Sequence, residues 1–396
     1  MITSQRLSAR TALTITYLWL ASRVLLLLMV LDVVTLFESV NVDVAGVYRN
    51  WYDVMRTTGS LPVGDPTWQY PPGAALLMVA PGVLPFGYLS GFMAILVACD
   101  ALVTVTLAHQ PRQHGLWVWL AGVPLLGPVV YARYDLAVAA LAVLGLLRLR
   151  GSPAGGGLLL GVATGLKLWP ALALVGVPSG GQARRAVLGA AAGASVTTLV
   201  VLVFLGQGAD FLTAQRDRGV EVESVWALGF HLARWAGWPG EVSSSYGSME
   251  MIGPWTREVG QWSLVATALC LLWLLYWRRR VRSWTDATPY DAALAAVLLF
   301  VVTSRVISPQ YLVWLVGLAA VCATARDSSQ RPVVSLVLAA TAVTMVEFPT
   351  LFVAVQESTP LGVGVLLLRN GLLVAAAVLS CVRLWRSTTG EPIPAD

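Results

Sequence analysis

Charge is what this sequence has least of. Only 12% of its 396 residues are Asp, Glu, Lys or Arg, against 57% hydrophobic, where soluble domains carry roughly 25% charged residues. A mean hydropathy of +0.72, with repeated apolar runs near the ~20 residues that cross a bilayer as helix, excludes a soluble globular domain. Lysine occurs once, at Lys167, and histidine only at His109, His114 and His231. The four cysteines (Cys99, Cys270, Cys322, Cys381) all sit inside apolar runs without metal-ligand spacing, so free buried thiols are expected and no disulfide framework. There is no DxD to hold a metal and a sugar nucleotide, no P-loop and no glycine fingerprint after a strand. No metal and no cofactor are expected.

What is present is a series of apolar runs, at about 12–37, 88–108, 116–132, 135–149, 155–167, 168–182, 186–206, 259–277, 288–304, 309–325, 332–346 and 361–382. These predict an all-α integral membrane protein, a polytopic bundle of about 12 transmembrane helices. The first run is too long for a cleavable signal and reads as a retained span. Positive charge sets the orientation. With the N-terminus cytoplasmic, the inner loops collect Arg6, Arg10, Arg112, Arg148, Arg150, Arg184, Arg185, the RRRVR cluster at 278–282, Arg326, Arg331, Arg383 and Arg386, while the outer loops keep Arg49, Arg56 and Arg133. The net charge of +5 is thus topology and not a nucleic-acid surface. The expectation is one polytopic domain over 1–396 in a bacterial plasma membrane, with both termini cytoplasmic. Its outer loops fall at 38–87 and 207–258, and a short tail at 387–396.

Two stretches complicate that count. Residues 155–182 form either one span or two short limbs meeting near Lys167-Leu168-Trp169-Pro170; the hairpin keeps every flanking arginine inside and uses Pro170 as a break. Residues 73–87, interrupted by Pro81 and Pro85, read as an interfacial or re-entrant piece. In the second outer loop, SVWALGFHLARWAGW is an amphipathic helix, either lying in the aromatic belt or walling a lipid-linked substrate.

The polar residues that this topology brings to one face are the candidates for chemistry. Asp43 follows the first span, Arg133-Tyr134-Asp135 form an outer turn, Lys167 caps the hairpin, and Arg305 ends the ninth span. Charges at the membrane edge are costly and default to function. A carboxylate facing several cations suits glycosyl or acyl transfer from a phosphate leaving group. The base deprotonates an acceptor hydroxyl, and the cations stabilise charge on the departing phosphate. The plainer alternatives stand beside this. Asp43 solvates its loop, Arg133 and Asp135 pair locally, and Lys167 and Arg305 snorkel to headgroups. Arg23 and Asp100, inside apolar runs, read as a buried pair joining two helices.

Asp43 with Tyr48, followed by Gly59, Pro62 and Tyr70-Pro71-Pro72, then Arg133-Tyr134-Asp135, the GLLLGVATGLKLWPALAL stretch at 157–174 and Ser308-Pro309-Gln310-Tyr311, resembles glycosyltransferase family 87 of the GT-C superfamily. The resemblance implies a GT-C fold whose extracytoplasmic loops carry the active site. It implies inverting, metal-independent transfer of a sugar, most often mannose, from a polyprenyl-phosphate donor to a lipid-linked or cell-envelope glycan acceptor. The family's loop aspartate carries over to Asp43 as general base, and Lys167, Arg305 and Arg133 become donor-phosphate contacts. Tyr48, Trp51, Tyr70, Tyr134, Asp135 and His231 complete the set as substrate-binding candidates. The competing class is a multi-pass transporter or flippase of a lipid-linked or small polar solute, whose usual mark is a repeated pair of broken helices; here the broken element occurs once.

Overall fold

The computed structural model describes residues 8–206 and 218–390. Arg6, the first part of the second outer loop and the end of the tail lie outside the described residues. The architecture is a helical bundle, and the expectation of an all-α, multi-pass membrane protein holds. Helix α1 (Ala9–Val30) begins where the Ser8 hydroxyl accepts the Thr11 amide at 3.1 Å, satisfying an otherwise orphaned donor. It stops at Val30 and does not run on to residue 37. Asn41 donates from Nδ2 to the Val30 carbonyl at 2.7 Å, and Asp32 takes a left-handed φ of 56°, so the chain turns away from the helix axis there.

The first loop then winds into a π-helical turn over Asp43–Tyr48, helix α2 (Arg49–Thr58) and helix α3 (Ala74–Val79), which runs on as a 3-10 turn over Ala80–Val83. This last piece is far shorter than a bilayer is thick. There follow α4 (Tyr88–Ala108), α5 (His114–Leu126), α6 (Asp135–Leu149), α7 (Pro153–Leu166) and α8 (Gly181–Leu205). After the second loop come α10 (Thr256–Arg280), α11 (Thr288–Thr303), α12 (Tyr311–Thr324), α13 (Arg331–Met345), the short α14 (Phe352–Gln356) and α15 (Pro360–Thr389); α9 (Ala227–Trp235) lies within that loop. Among the described residues six helices are long and apolar enough to cross a membrane, and the remaining apolar runs fold as shorter helices.

Residues 155–182 are two limbs. Helix α7 ends at Lys167, whose φ of −159° is extended, and Pro170 opens a 3-10 run over Trp169–Gly176. Lys167 reaches Asp135 at the start of α6, whereas Val175 and Ser179 meet Arg278 at the opposite end of the bundle. Arg150 pairs with Asp286 at that same opposite end. Limb one packs on α8 through a small-residue seam: Gly157 and Gly161 lie so close to the Ala186 and Ala190 backbone that any Cβ would collide. Close backbone approach is how helices associate where the hydrophobic effect does not discriminate.

The second loop contains what the hydropathy pattern did not signal, a three-stranded antiparallel sheet ordered β1 (Val220–Glu221), β3 (Ser248–Ile252), β2 (Glu241–Ser245). Its hairpin turns on Tyr246 and Gly247, with φ of 52° and 74°; positive φ at both central residues matches the twist of a tight hairpin. This sheet, the first loop and the 304–310 segment all gather at the Lys167 end. Gln69 donates to the Tyr246 carbonyl at 3.3 Å, and the Glu221 amide donates to the Arg305 carbonyl at 3.0 Å.

Candidate active site

At that end the bundle opens into a cavity of about 440 Å³. Five segments build it: the first loop contributes Asp43, Gln69 and Tyr70; the hairpin tip contributes Lys167 and Trp169; the sheet-bearing loop contributes Arg218 and Ser248; α10 contributes Ser263, Leu264 and Thr267; and the α11–α12 connection with the start of α12 contributes Arg305, Ser308, Gln310 and Tyr311.

Asp43 stands at the start of the π-helical turn. Its Oδ2 pairs with Arg133 Nη2 at 2.8 Å, and the carboxylate stays 37% exposed while Arg133 is 12% exposed. Arg133 cannot swing away, because Nη1 also donates to the carbonyls of Val40 at 3.2 Å and Ala132 at 2.7 Å. The guanidinium therefore orients Asp43, whose Oδ1 carries no hydrogen bond among the described residues.

Lys167 is held differently. Its Nζ lies 2.7 Å from Asp135 Oδ1, which also accepts Trp314 Nε1 at 2.7 Å. Four rings surround the ammonium, Tyr70, Tyr134, Tyr311 and Trp314, with centroids 5.0 to 5.5 Å away, within cation–π range. Burial lowers the Lys167 pKa, and Asp135 opposes that fall. Trp169, Trp314 and Tyr311 form a continuous stack, with centroids 5.1 and 4.0 Å apart. Its edge on the cavity gives the site a flat apolar wall.

Arg218 was not among the residues singled out from the sequence. Its Nε donates to Glu250 Oε1 at 3.0 Å, Nη1 to Gln69 Oε1 at 3.1 Å and Nη2 to Ser248 Oγ at 2.7 Å. Its own carbonyl accepts Arg305 Nη1 at 2.7 Å. Two guanidinium groups are thereby fixed on the wall that Lys167 shares. Glu221 sits behind them, its Oε1 accepting Ser308 Oγ at 3.0 Å, and burial raises its pKa.

Several sequence candidates fall outside the cavity lining. Arg133 is spent on Asp43 and two carbonyls. Tyr48 and Trp51 are buried beneath the loop, stacked on each other with centroids 5.3 Å apart, and Trp51 Nε1 donates to Asp65 at 3.0 Å. Tyr134 and Asp135 lie one layer below, holding Lys167. His231 is remote: its ring nitrogens engage Ser358 Oγ at 2.7 Å and the Val222 carbonyl at 2.8 Å. Nor do Arg133 and Asp135 pair locally, since each takes a partner from another element.

No curated protein matches the chain. Among solved structures it is similar to ArnT from Cupriavidus metallidurans bound to undecaprenyl phosphate, at 14% identity and a TM-score of 0.44, covering 95% of this chain and 78% of that one. The model of glycosyltransferase family 87 matches residues 68–309, more than half of the sequence and the whole stretch from Trp68 to the α11–α12 connection, and the chain belongs to that family.

Proposed function

We propose that this membrane glycosyltransferase moves a sugar, mannose in the first instance, from a polyprenyl-phosphate donor to a lipid-linked or cell-envelope glycan acceptor, with inversion and at the outer membrane face. The observation that carries the reading is one cavity with a half-exposed carboxylate, Asp43, on one side and the cations Lys167, Arg218 and Arg305 on the other. Such an arrangement fits a single displacement. Asp43 takes the proton of the acceptor hydroxyl as its oxygen attacks the anomeric carbon. The bond from that carbon to the phosphate oxygen breaks, and polyprenyl phosphate departs carrying the electron pair. Arg218 and Arg305 stabilise the charge developing on it. Lys167, already paired with Asp135, adds positive potential and positions Tyr70 and Tyr311 around the sugar, while the Trp169–Trp314–Tyr311 stack offers a ring-sized face.

The test is incubation of purified protein with labelled polyprenyl-phosphomannose and a crude lipid or glycan extract. Label appearing in a new lipid or glycan supports the reading. Label crossing a vesicle membrane without transfer would support the transporter class instead. Transfer from polyprenyl-phosphoglucose, with polyprenyl-phosphomannose inert, would keep the reaction and change the sugar.

A further inference from the structure

Another cavity lies towards the opposite end of the bundle, on its exposed apolar surface. It is a groove of about 400 Å³ between α10, α11 and α15, lined by Trp273, Leu299, Val378, Cys381, Trp385 and, at its mouth, Arg386. Nearly everything inside it is apolar. The rim is built by a stack: Tyr276 lies on Trp385 with centroids 5.8 Å apart and planes 20° apart, Trp273 flanks Trp385 at 6.4 Å, and Arg280 stands over Tyr276 at 5.2 Å. Beneath it, Trp277 Nε1 donates to Thr388 Oγ1 at 2.9 Å and locks α10 to α15, so the groove is a fixed feature of the packing.

The arginines around its mouth divide into two kinds. Arg278 donates to the Val175 carbonyl and Arg383 to the Ser329 carbonyl; both are consumed by the protein. Arg280 and Arg386 are exposed and have no hydrogen bond or ion pair among the described residues. An apolar groove opening beside two exposed arginines that make no ion pair is complementary to an acyl chain below an anionic headgroup.

We infer that this groove binds an anionic diacyl phospholipid, one acyl chain lying along Leu299, Val378 and Cys381 beside the Trp273–Trp385 pair, and the phosphate on Arg280 and Arg386. The site is separate from the Asp43 cavity, so the inference does not rest on the proposed reaction.

The experiment uses the full chain in neutral detergent, with dioleoylphosphatidylglycerol, dioleoylphosphatidylcholine or undecaprenyl phosphate added, and counts retained lipid by native mass spectrometry. Two surface cations, each worth roughly fivefold in affinity for an anionic lipid, predict about a 30-fold preference for the glycerol headgroup over choline. Phosphatidylglycerol should also slow peptide-resolved alkylation of Cys381. The double variant Arg280→Ala, Arg386→Ala should lose the preference, and Arg280→Lys, Arg386→Lys should keep most of it, which separates charge loss from misfolding. Cys381→Trp should fill the slot and lower retention of both diacyl lipids. Equal retention of the two, an unchanged preference in the double alanine variant, or undecaprenyl phosphate displacing phosphatidylglycerol as the favoured occupant would each overturn the assignment.

Discussion

Two carboxylate–arginine pairs lie close to the first helix, and they are built for opposite ends. Asp100 accepts Arg23 Nε at 2.9 Å, Trp119 Nε1 at 2.6 Å and Tyr131 Oη at 2.6 Å, with both charged side chains 2% exposed or less. Arg23 spends its remaining donors on the Leu120 carbonyl and the Ser22 hydroxyl. Asp43 has one arginine, an oxygen with no hydrogen bond among the described residues, and a cavity in front of it. Charge in an apolar sequence is therefore not one signal. Where neighbouring donors saturate a carboxylate, it joins helices; where the protein satisfies half of it beside a cavity, the proposed reaction gives the other half to a substrate.

The comparison breaks most visibly if Asp43 proves to be structural. Asp43→Asn keeps the shape and cannot take a proton, so sugar transfer should fall by about 10²–10⁴-fold. Its thermal midpoint in detergent should stay within what a partly exposed ion pair contributes, about 0–1 kcal/mol. Asp53, in an exposed pair with Arg49 at 2.9 Å on α2, is the control: Asp53→Asn should transfer at the parent rate. A loss of folding in Asp43→Asn equal to its loss of activity would erase the distinction.

The mirror experiment is on Asp100. Asp100→Ala leaves Arg23 buried without a counter-charge, and breaking such a pair costs about 3–5 kcal/mol. Denaturant titration in detergent should register that loss, while whatever fraction remains folded turns over normally. A stable Asp100→Ala protein with a dead active site would mean that the buried pair serves the reaction.

Between these lie the cations of the cavity. Arg218→Ala and Arg305→Ala should each weaken transfer by about 2–4 kcal/mol if they face the departing phosphate as oxyanion donors do, seen as a fall in kcat/KM for the donor. Arg218→Ala also frees Gln69, Ser248 and Glu250, so Glu250→Gln, which keeps Arg218 in place and removes its counter-charge, separates loss of the cation from loss of the sheet. Unchanged donor kinetics in Arg305→Ala would take that residue out of the site.

How much of this was legible in the sequence follows from how local the cause is. A lone Arg23 and a lone Asp100 in apolar runs had to find each other, because neither can stay unpaired in hydrocarbon, and they do. The break at Lys167–Pro170 was legible from proline chemistry, and the arginine ends from topology. The partners of Arg133 and Asp135 were not: residues two apart at a helix start point in different directions, so Arg133 reaches back to Asp43 and Asp135 reaches down to Lys167. Arg218 sits in a stretch of mixed charge that reads as a solvated loop, and only pairing with β3 makes it a wall. The strands Glu241–Ser245 and Ser248–Ile252 are short and polar, and their one local signal was the Tyr246-Gly247 turn. His231, offered as a substrate-binding candidate, engages the Ser358 hydroxyl and the Val222 carbonyl, two partners far from it in sequence or set by the fold of the second loop.

A third buried cluster sharpens the comparison with the smallest expected effect. Glu223 and Glu347 both lie 3.6 Å from Arg369 Nη1, and all three side chains are almost wholly buried. Unlike Asp100, these carboxylates are poorly satisfied: Glu223 Oε1 and both oxygens of Glu347 have no hydrogen-bond partner among the described residues. One guanidinium faces two acids where the sheet-bearing loop docks on α13 and α15. Burial, then the charges of Glu347 and Glu221, raise the Glu223 pKa well above the usual carboxylate value. An acid whose pKa is raised on folding binds more protons folded than unfolded, so its contribution to stability is intact below about pH 4.3, the unfolded value. That contribution is lost progressively as pH rises from there towards the folded value. Unfolding followed in detergent between pH 5 and 8 should therefore show stability declining with pH, by at most about 1.4 kcal/mol per unit for one proton. Glu223→Gln, which mimics the protonated acid, should flatten that decline and fold at least as well as the parent at pH 8. Asp100→Asn should leave the same decline in place. An unaltered slope in Glu223→Gln would assign the pH dependence to another group and leave Glu223 as a buried charge that does not titrate in this range.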